Sequence, residues 1–355
     1  MRSSGYPRVH GPAFARSSAL ASGIVKDYYE LTDTGRRTRL RAIAAKALER
    51  YPIEVVRMRG MTDATNGIFR LDSADGGRYA MRVSLGPPVQ HTVEEVRSEL
   101  EWLDALAAES DVTVPVPVHT LDGDRVVVAD DPLVPHERIC AVFSWLEGTT
   151  LADRLNPDTM RSFGEAMAKL HEHAATFEPS PEFSASSYDE PYPYELPFIV
   201  FDEAGDDLLP PPRRALFEEA HQIVGDAIAR LQATEPARVI HGDLHPWNAM
   251  VNRGHIAVFD FEDLVWGWPV QDIGTCLYYF WSSEEFENRW QQLREGYERV
   301  APWPDRGGEV ATFIAGRTLV LANDVISQPE WLPDAPALYE RGERRVREML
   351  ELAST

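Results

Sequence analysis

Residues 241–248, "HGDLHPWN", set a carboxylate (Asp243) and a carboxamide (Asn248) among two histidines, a proline and a tryptophan. Inside a core strand each of these polar groups would need a buried partner, whereas a loop carries them without that cost. A short apolar run delivers the chain into this loop, and "HIAVFDFED" then supplies a second apolar run that ends in Asp260. A hairpin-like pairing of the two runs would bring Asp243, Asn248 and Asp260 to one mouth. Asn and Asp offer hard oxygen ligands, which suit Mg²⁺ better than zinc, and Mg²⁺ takes few protein ligands alongside phosphate oxygens. A carboxylate left off the metal can accept a proton from an attacking hydroxyl. Metal to offset phosphate charge plus a base to orient the nucleophile is the division of labour of phosphoryl transfer.

The elements that must position these groups fall into two parts. Residues 36–50 place Leu40, Ile43, Ala44, Ala47 and Leu48 on one helical face. Strand-like runs follow at 53–59, 67–71 and 79–85, the last two joined by "DSADGG". A helix fits 93–108, then strands fit 125–129 and 140–145. Beyond a connector near 146–150, helices fit 158–174, 212–232, 283–299, 308–326 and 335–352, with short strands around 238–240, 249–252 and 255–259. The expected organisation is α+β: a flexible extension over 1–35, a first lobe over 36–146 with an antiparallel sheet and one helix, and a mostly helical lobe over 147–355.

The chain has 355 residues and a net charge of −22, which argues against nucleic acid or an anionic membrane as partner. The first 26 residues are basic instead, with Arg2, Arg8, Arg16 and Lys26 and no acid. No run approaches the roughly 18 apolar residues of a membrane helix. Cys140 and Cys276 give neither a disulfide framework nor a metal-ligand spacing, so a reduced cytoplasm is the expected setting.

"HGDLHPWN" followed by "FDFED" resembles the catalytic loop and metal segment of the aminoglycoside phosphotransferase superfamily, whose relatives include type II homoserine kinases, choline kinases and stress-response kinases. The resemblance implies a two-lobed, protein-kinase-like fold, ATP and Mg²⁺ as cofactors, Asp243 as catalytic base, and Asn248 and Asp260 as metal ligands. It implies that Asp272, in "PVQDIG", braces the catalytic loop. Arg82 on the third strand stands where the family has a basic residue for the nucleotide phosphates, with Glu99 or, one turn earlier, Glu95 as its partner. Amides near Thr65, Asn66 and Gly67 would cover phosphates, although the turn is not G-x-G-x-x-G. The connector "VFSWLEG", through Ser144 and Leu146, would receive adenine. His241 and His245 are expected to bond the loop backbone, and Trp247, where the family often has a small residue, to pack.

The expected activity is transfer of the γ-phosphate to a hydroxyl of a small molecule. Between Glu182 and Pro212 there is no Lys or Arg, while acids such as Asp202, Asp206 and Asp207 alternate with Tyr and Phe. That pattern suggests an amine-bearing acceptor, aminoglycoside-like or an amino alcohol such as homoserine, drawn by charge and cation–π contacts. Two other readings stay open. A Ser/Thr protein kinase is disfavoured by the short span from Asp260 to Asp272, and a non-catalytic pseudokinase by the intact Asp243, Asn248 and Asp260. The identity of the acceptor, GTP in place of ATP, and oligomeric state are not legible at this level.

Overall fold

A computed structural model describes residues 26–62, 66–84, 86, 91–193, 197–281, 283–327 and 335–354. The backbone divides into two compact units, one of residues 1–100 and 116–145 and the other of 101–115 and 146–355. The boundary therefore falls inside a helix that the sequence reading assigned wholly to the first part.

In the first unit, helix α1 (Asp33–Leu48) begins three residues earlier than the apolar periodicity indicated. The Thr32 hydroxyl accepts from the Gly35 amide and satisfies one of the orphan donors of the first turn. Tyr28 is buried in the same core as Leu40, Ile43 and Ala47. The expected flexible extension is thus corrected over 26–35, which belong to the folded unit; 1–25 lie outside the described residues. Strands β1 (Val55–Thr62), β2 (Gly67–Ser73), β3 (Arg78–Val83), β4 (Val126–Ala129) and β5 (Arg138–Ser144) form one sheet in the order β1-β2-β3-β5-β4. All its pairings are antiparallel. Alternation along β2 buries Phe69 and Leu71 against α1, with Met81, Val83, Cys140 and Val142 completing the core. Helix α2 (Val93–Glu109) follows β3, starting with a reciprocal bond pair between Thr92 and Glu95.

In the second unit, a short strand β6 (Thr149–Thr150) precedes α3 (Pro157–Ala174), β7 (Ser186–Ser187), α4 (Pro211–Thr234) and β8 (Arg238–Ile240). The segment 241–248 follows β8. Next come β9 (Ala249–Asn252), β10 (His255–Val258), β11 (Val265–Gly267), α5 (Pro269–Tyr278), α6 (Phe286–Tyr297), α7 (Glu309–Ser327) and α8 (Ala335–Ala353). β9 and β10 pair through a two-residue turn in which both Arg253 and Gly254 have positive φ, the requirement of a tight hairpin. This is the hairpin that returns the chain to Asp260. β11 pairs with β8 on one side and with β7 on the other. By length and composition α7 could cross a membrane, which the sequence reading had excluded for every segment, but 78% of its apolar window is buried inside the protein. It is the core helix of its unit.

Candidate active site

The loop after β8 turns on Gly242, whose φ of +81° suits glycine; a Cβ there would lie 2.1 Å from the Asp263 carbonyl oxygen. The loop is therefore pressed against the backbone just beyond Asp260. Asp272, fully buried near the start of α5, accepts from the amides of His241 (3.0 Å) and Gly242 (2.9 Å). Its Oδ2 also lies 3.1 Å from Nε2 of His171 on α3, whose other ring nitrogen meets the Tyr297 hydroxyl. Asp272 thus has the bracing position expected of it.

Asp243 and Asn248 come together. The Asn248 carboxamide donates from Nδ2 to the Asp243 carbonyl (3.0 Å) and carboxylate (3.2 Å), which turns its oxygen away from both. Asp260 is tied in through the backbone, because the Phe259 amide donates to the Asn248 carbonyl at 3.0 Å. His241 accordingly plays the backbone role expected, with Nε2 3.0 Å from the Phe259 carbonyl and its ring against Phe261. Burial pushes the His241 pKa down, so it is neutral near pH 7. His245 differs from expectation: Nε2 lies 3.2 Å from the Asp243 carboxylate.

Two further groups were not anticipated from the sequence. Arg317, on α7, sets Nη2 2.5 Å from Asp243 Oδ1 and 3.4 Å from the Tyr279 hydroxyl. Burial alone would raise the Asp243 pKa, yet the charges of Arg317 and His245 and the hydrogen bond to His245 hold it well below the usual carboxylate range. Asp324 lies two turns along α7, on the same face as Arg317. It accepts from the Tyr192 hydroxyl at 3.2 Å, and burial pushes its pKa up to about 6 against the opposing pull of Arg317.

Asn248 and Asp260 are hard oxygen donors of the kind a divalent cation takes. The Asn248 carboxamide oxygen faces away from its own hydrogen bonds, and Asp260 is exposed with a φ of +68°, a strained setting for a residue other than glycine. Burial, followed by the charges of Asp243, Glu262 and Asp260, raises the Asp263 pKa well above the usual carboxylate range. A cation would relieve that crowding. Among the described residues no three His, Cys, Asp or Glu converge as a closed cage.

In the first unit, Arg82 and Glu99 form a two-pronged pair, with Nη1 2.9 Å from Oε1 and Nη2 on Oε2, both side chains under a tenth exposed. The choice left open between Glu99 and Glu95 falls on Glu99, since Glu95 is spent on the α2 cap. The guanidinium also lies 5.4 Å from the Phe143 ring centroid. Asn66 is buried, whereas Thr65 lies outside the described residues. Ser144 is corrected in part: its amide donates to the Val116 carbonyl at 2.8 Å, so that N–H is not offered to a base. Leu146 is half-buried beyond the end of β5.

The stretch between Glu182 and Pro212 is used differently from what its composition indicated. Its aromatics pack on one another, Phe198 against Tyr192, Phe201 and His221, rather than standing open to a cation. Asp202, Asp206 and Asp207 are exposed, and Asp206 pairs with Arg214. Tyr194 and Glu195 lie outside the described residues. Trp247 also departs from expectation: half its surface is exposed.

The chain matches the sequence model of the phosphotransferase enzyme family over residues 61–303. Amicoumacin kinase of Bacillus subtilis (strain 168) is 23% identical over 238 residues, 66% of this chain and 67% of that protein. Amicoumacin kinase hAmiN, solved in complex with AMP-PNP, Ca²⁺ and Ami, has a TM-score of 0.69 at 17% identity, covering 89% of this chain and 95% of that one. The microcompartment-associated aminopropanol kinase has a TM-score of 0.66 at 22% identity, covering 88% and 96%. Aminoglycoside phosphotransferase APH(4)-Ia, in ternary complex with ADP and hygromycin B, has a TM-score of 0.57 at 12% identity, covering 84% and 96%. The α+β, kinase-like fold is common to this chain and the three solved structures.

Proposed function

The chain belongs to the phosphotransferase enzyme family, and on that premise we propose that it transfers the γ-phosphate of ATP to a hydroxyl of a small amine-bearing molecule. The observation that carries this reading is the Asp243–Asn248 pairing, which sets one carboxylate beside a carboxamide oxygen aimed elsewhere. Asp243 takes the hydroxyl proton as the acceptor oxygen forms its bond to phosphorus and ADP leaves with the electrons of the broken P–O bond. Held low by Arg317 and His245, Asp243 is fully ionised near pH 7 and acts more by orienting the hydroxyl than by basicity. Asn248 and Asp260 would hold Mg²⁺, whose charge offsets that of the phosphate oxygens. Arg82, fixed by Glu99, reaches the nucleotide phosphates; a guanidinium suits them because it can bind two oxygens at once. Asn66 in the first unit and Leu146 in the second are each candidates for contact with the nucleotide, and a cytoplasmic setting goes with this chemistry.

For the amine, Asp324 replaces the acidic stretch as the supporting feature. It is a carboxylate on the same helix face as the residue that holds the base, and Tyr192 fixes its orientation. Its raised pKa has a consequence for pH. Below about 4 the carboxyl is neutral in both folded and unfolded chains. Between about 4 and 6 the unfolded chain loses its proton first, and above 6 the folded state carries the cost of a half-buried charge. Asp324→Asn is therefore expected to stabilise the protein by roughly 2 kcal/mol at pH 8 and to have little effect at pH 4. Urea denaturation at the two pH values checks it, and equal effects at both would contradict the assignment. The acceptor KM should fall as pH rises through 6 in the parent protein and stay flat in this variant.

The test of the activity is an ATP-depletion screen of hydroxylated amines, amino alcohols and aminocyclitols, with Asp243→Asn as control. Consumption of ATP that depends on an acceptor and on Asp243 supports the reading. Consumption that persists in the control, or none with any hydroxylated amine, goes against it.

A further inference from the structure

Among the described residues, Trp247 is the most exposed of the Phe, Tyr and Trp side chains, with 50% of its surface open. It lies four positions after Asp243, in a loop whose other residues are buried or nearly so. A tryptophan kept for packing would bury its ring, since that surface is the largest a side chain can remove from water. This ring instead rests on two neighbours and leaves the rest open. Its centroid is 5.5 Å from that of Tyr279, tilted by 56°, and 5.7 Å from that of His245, nearly perpendicular. Tyr279 and His245 also meet edge-to-face at 4.6 Å, so the three rings brace one another.

Both supports touch the groups that hold the base. His245 Nε2 is 3.2 Å from Asp243 Oδ2, and the Tyr279 hydroxyl is 3.4 Å from the Arg317 nitrogen that contacts Asp243 Oδ1. The open indole surface is therefore continuous, through one ring on each route, with the carboxylate assigned to the acceptor hydroxyl. Three rings of different orientation, locked by mutual contact, give a preorganised shelf that loses little entropy when covered.

We propose that Trp247, seated on Tyr279 and His245, is a specificity-determining residue that stacks a ring of the acceptor beside the hydroxyl held at Asp243. The inference rests on Asp243 being the acceptor's base, and it narrows the acceptor to a ring-bearing alcohol over an acyclic one. An acyclic chain would cover little of an indole face, whereas a ring covers much of it and excludes water from the neighbouring carboxylate.

Two probes isolate the ring: 2-amino-1-phenylethanol and 1-amino-2-propanol share the amino alcohol and differ in phenyl against methyl. Binding is read by calorimetry and phosphate transfer by ADP release, for the parent chain, Trp247→Phe and Trp247→Ala. The parent is expected to bind the phenyl probe at least about tenfold more tightly, equivalent to about 1.4 kcal/mol. That preference should survive in Trp247→Phe and fall below about threefold in Trp247→Ala. A purely structural role for Trp247 would weaken both probes alike and leave the ratio unchanged. A Mg·ATP-dependent thermal shift in each variant verifies folding. Equal binding of the two probes to the parent, binding of neither, or a ratio unaltered in Trp247→Ala overturns the shelf. Ring-selective binding without transfer would keep the shelf and count against the kinase reading; transfer without ring selectivity would do the reverse.

Discussion

Asp243→Asn is expected to lower turnover by about 10²–10⁴ while nucleotide affinity stays near that of the parent, because the lost group acts on the acceptor hydroxyl in the transition state. The substitution has a second effect that must be separated from the first. Asp243 is the counter-charge of Arg317, and both side chains are largely buried. Removing one member of a buried pair costs on the order of 3–5 kcal/mol, because the other charge stays desolvated. Adding Arg317→Met to Asp243→Asn should recover much of that stability without recovering turnover. Single-turnover transfer, measured beside denaturant melts of both variants, separates the two. Near-parental turnover in a folded Asp243→Asn protein would remove Asp243 from the chemistry.

The second large effect is expected at Asp260. If this side chain shares Mg²⁺ with Asn248, Asp260→Ala should lose the Mg²⁺-dependent part of ATP binding together with activity. A ligand present at 100 times its Kd stabilises the folded state by about 2.7 kcal/mol, a shift of several degrees in melting temperature. The parent chain should show that shift with Mg·ATP and much less with ATP and a chelator. The variant should show the smaller shift in both cases. Parental stabilisation of Asp260→Ala by Mg·ATP would mean that another group holds the metal. Because Asp260 has a φ of +68°, alanine is a strained replacement, so each shift is read against the same protein's own nucleotide-free melt.

The meeting of Asp243 and Asn248 was readable in the sequence because the two residues are near one another along the chain. Asp243 and Asn248 sit five positions apart in a polar run between two strands, and the hairpin back to Asp260 is written in Arg253-Gly254 and the apolar residues flanking it. Arg317 and Asp324 were not readable. They occur singly in an apolar helix, far along the chain, and nothing local marks a lone charge there as facing a loop 74 residues earlier. Helix α5 was missed for a related reason: every one of its residues is buried, so it shows no polar face and no helical stripe. β6, β7 and β11 have two or three residues each, too few for alternation to register. The sequence reading placed too much on the acids before α4, since composition alone cannot separate aromatics that pack together from aromatics that wait for a cation.

The family match ends at Trp303, and the partner of the base begins its work beyond it, on α7. The helix that holds the Asp243 carboxylate thus lies outside the matched segment. If Asp324 meets the acceptor's amine as proposed, substitutions along one face of α7 would change which molecule is received, through Asp324, and how firmly Asp243 is held, through Arg317, without disturbing "HGDLHPWN". The two changes are not independent, because a rigid helix carries both side chains and any shift of one displaces the other. New acceptors would then arise by paired substitutions on that face, each first step paid for in catalytic rate. A library randomising α7 while leaving the loop untouched would find altered acceptors mainly as double variants.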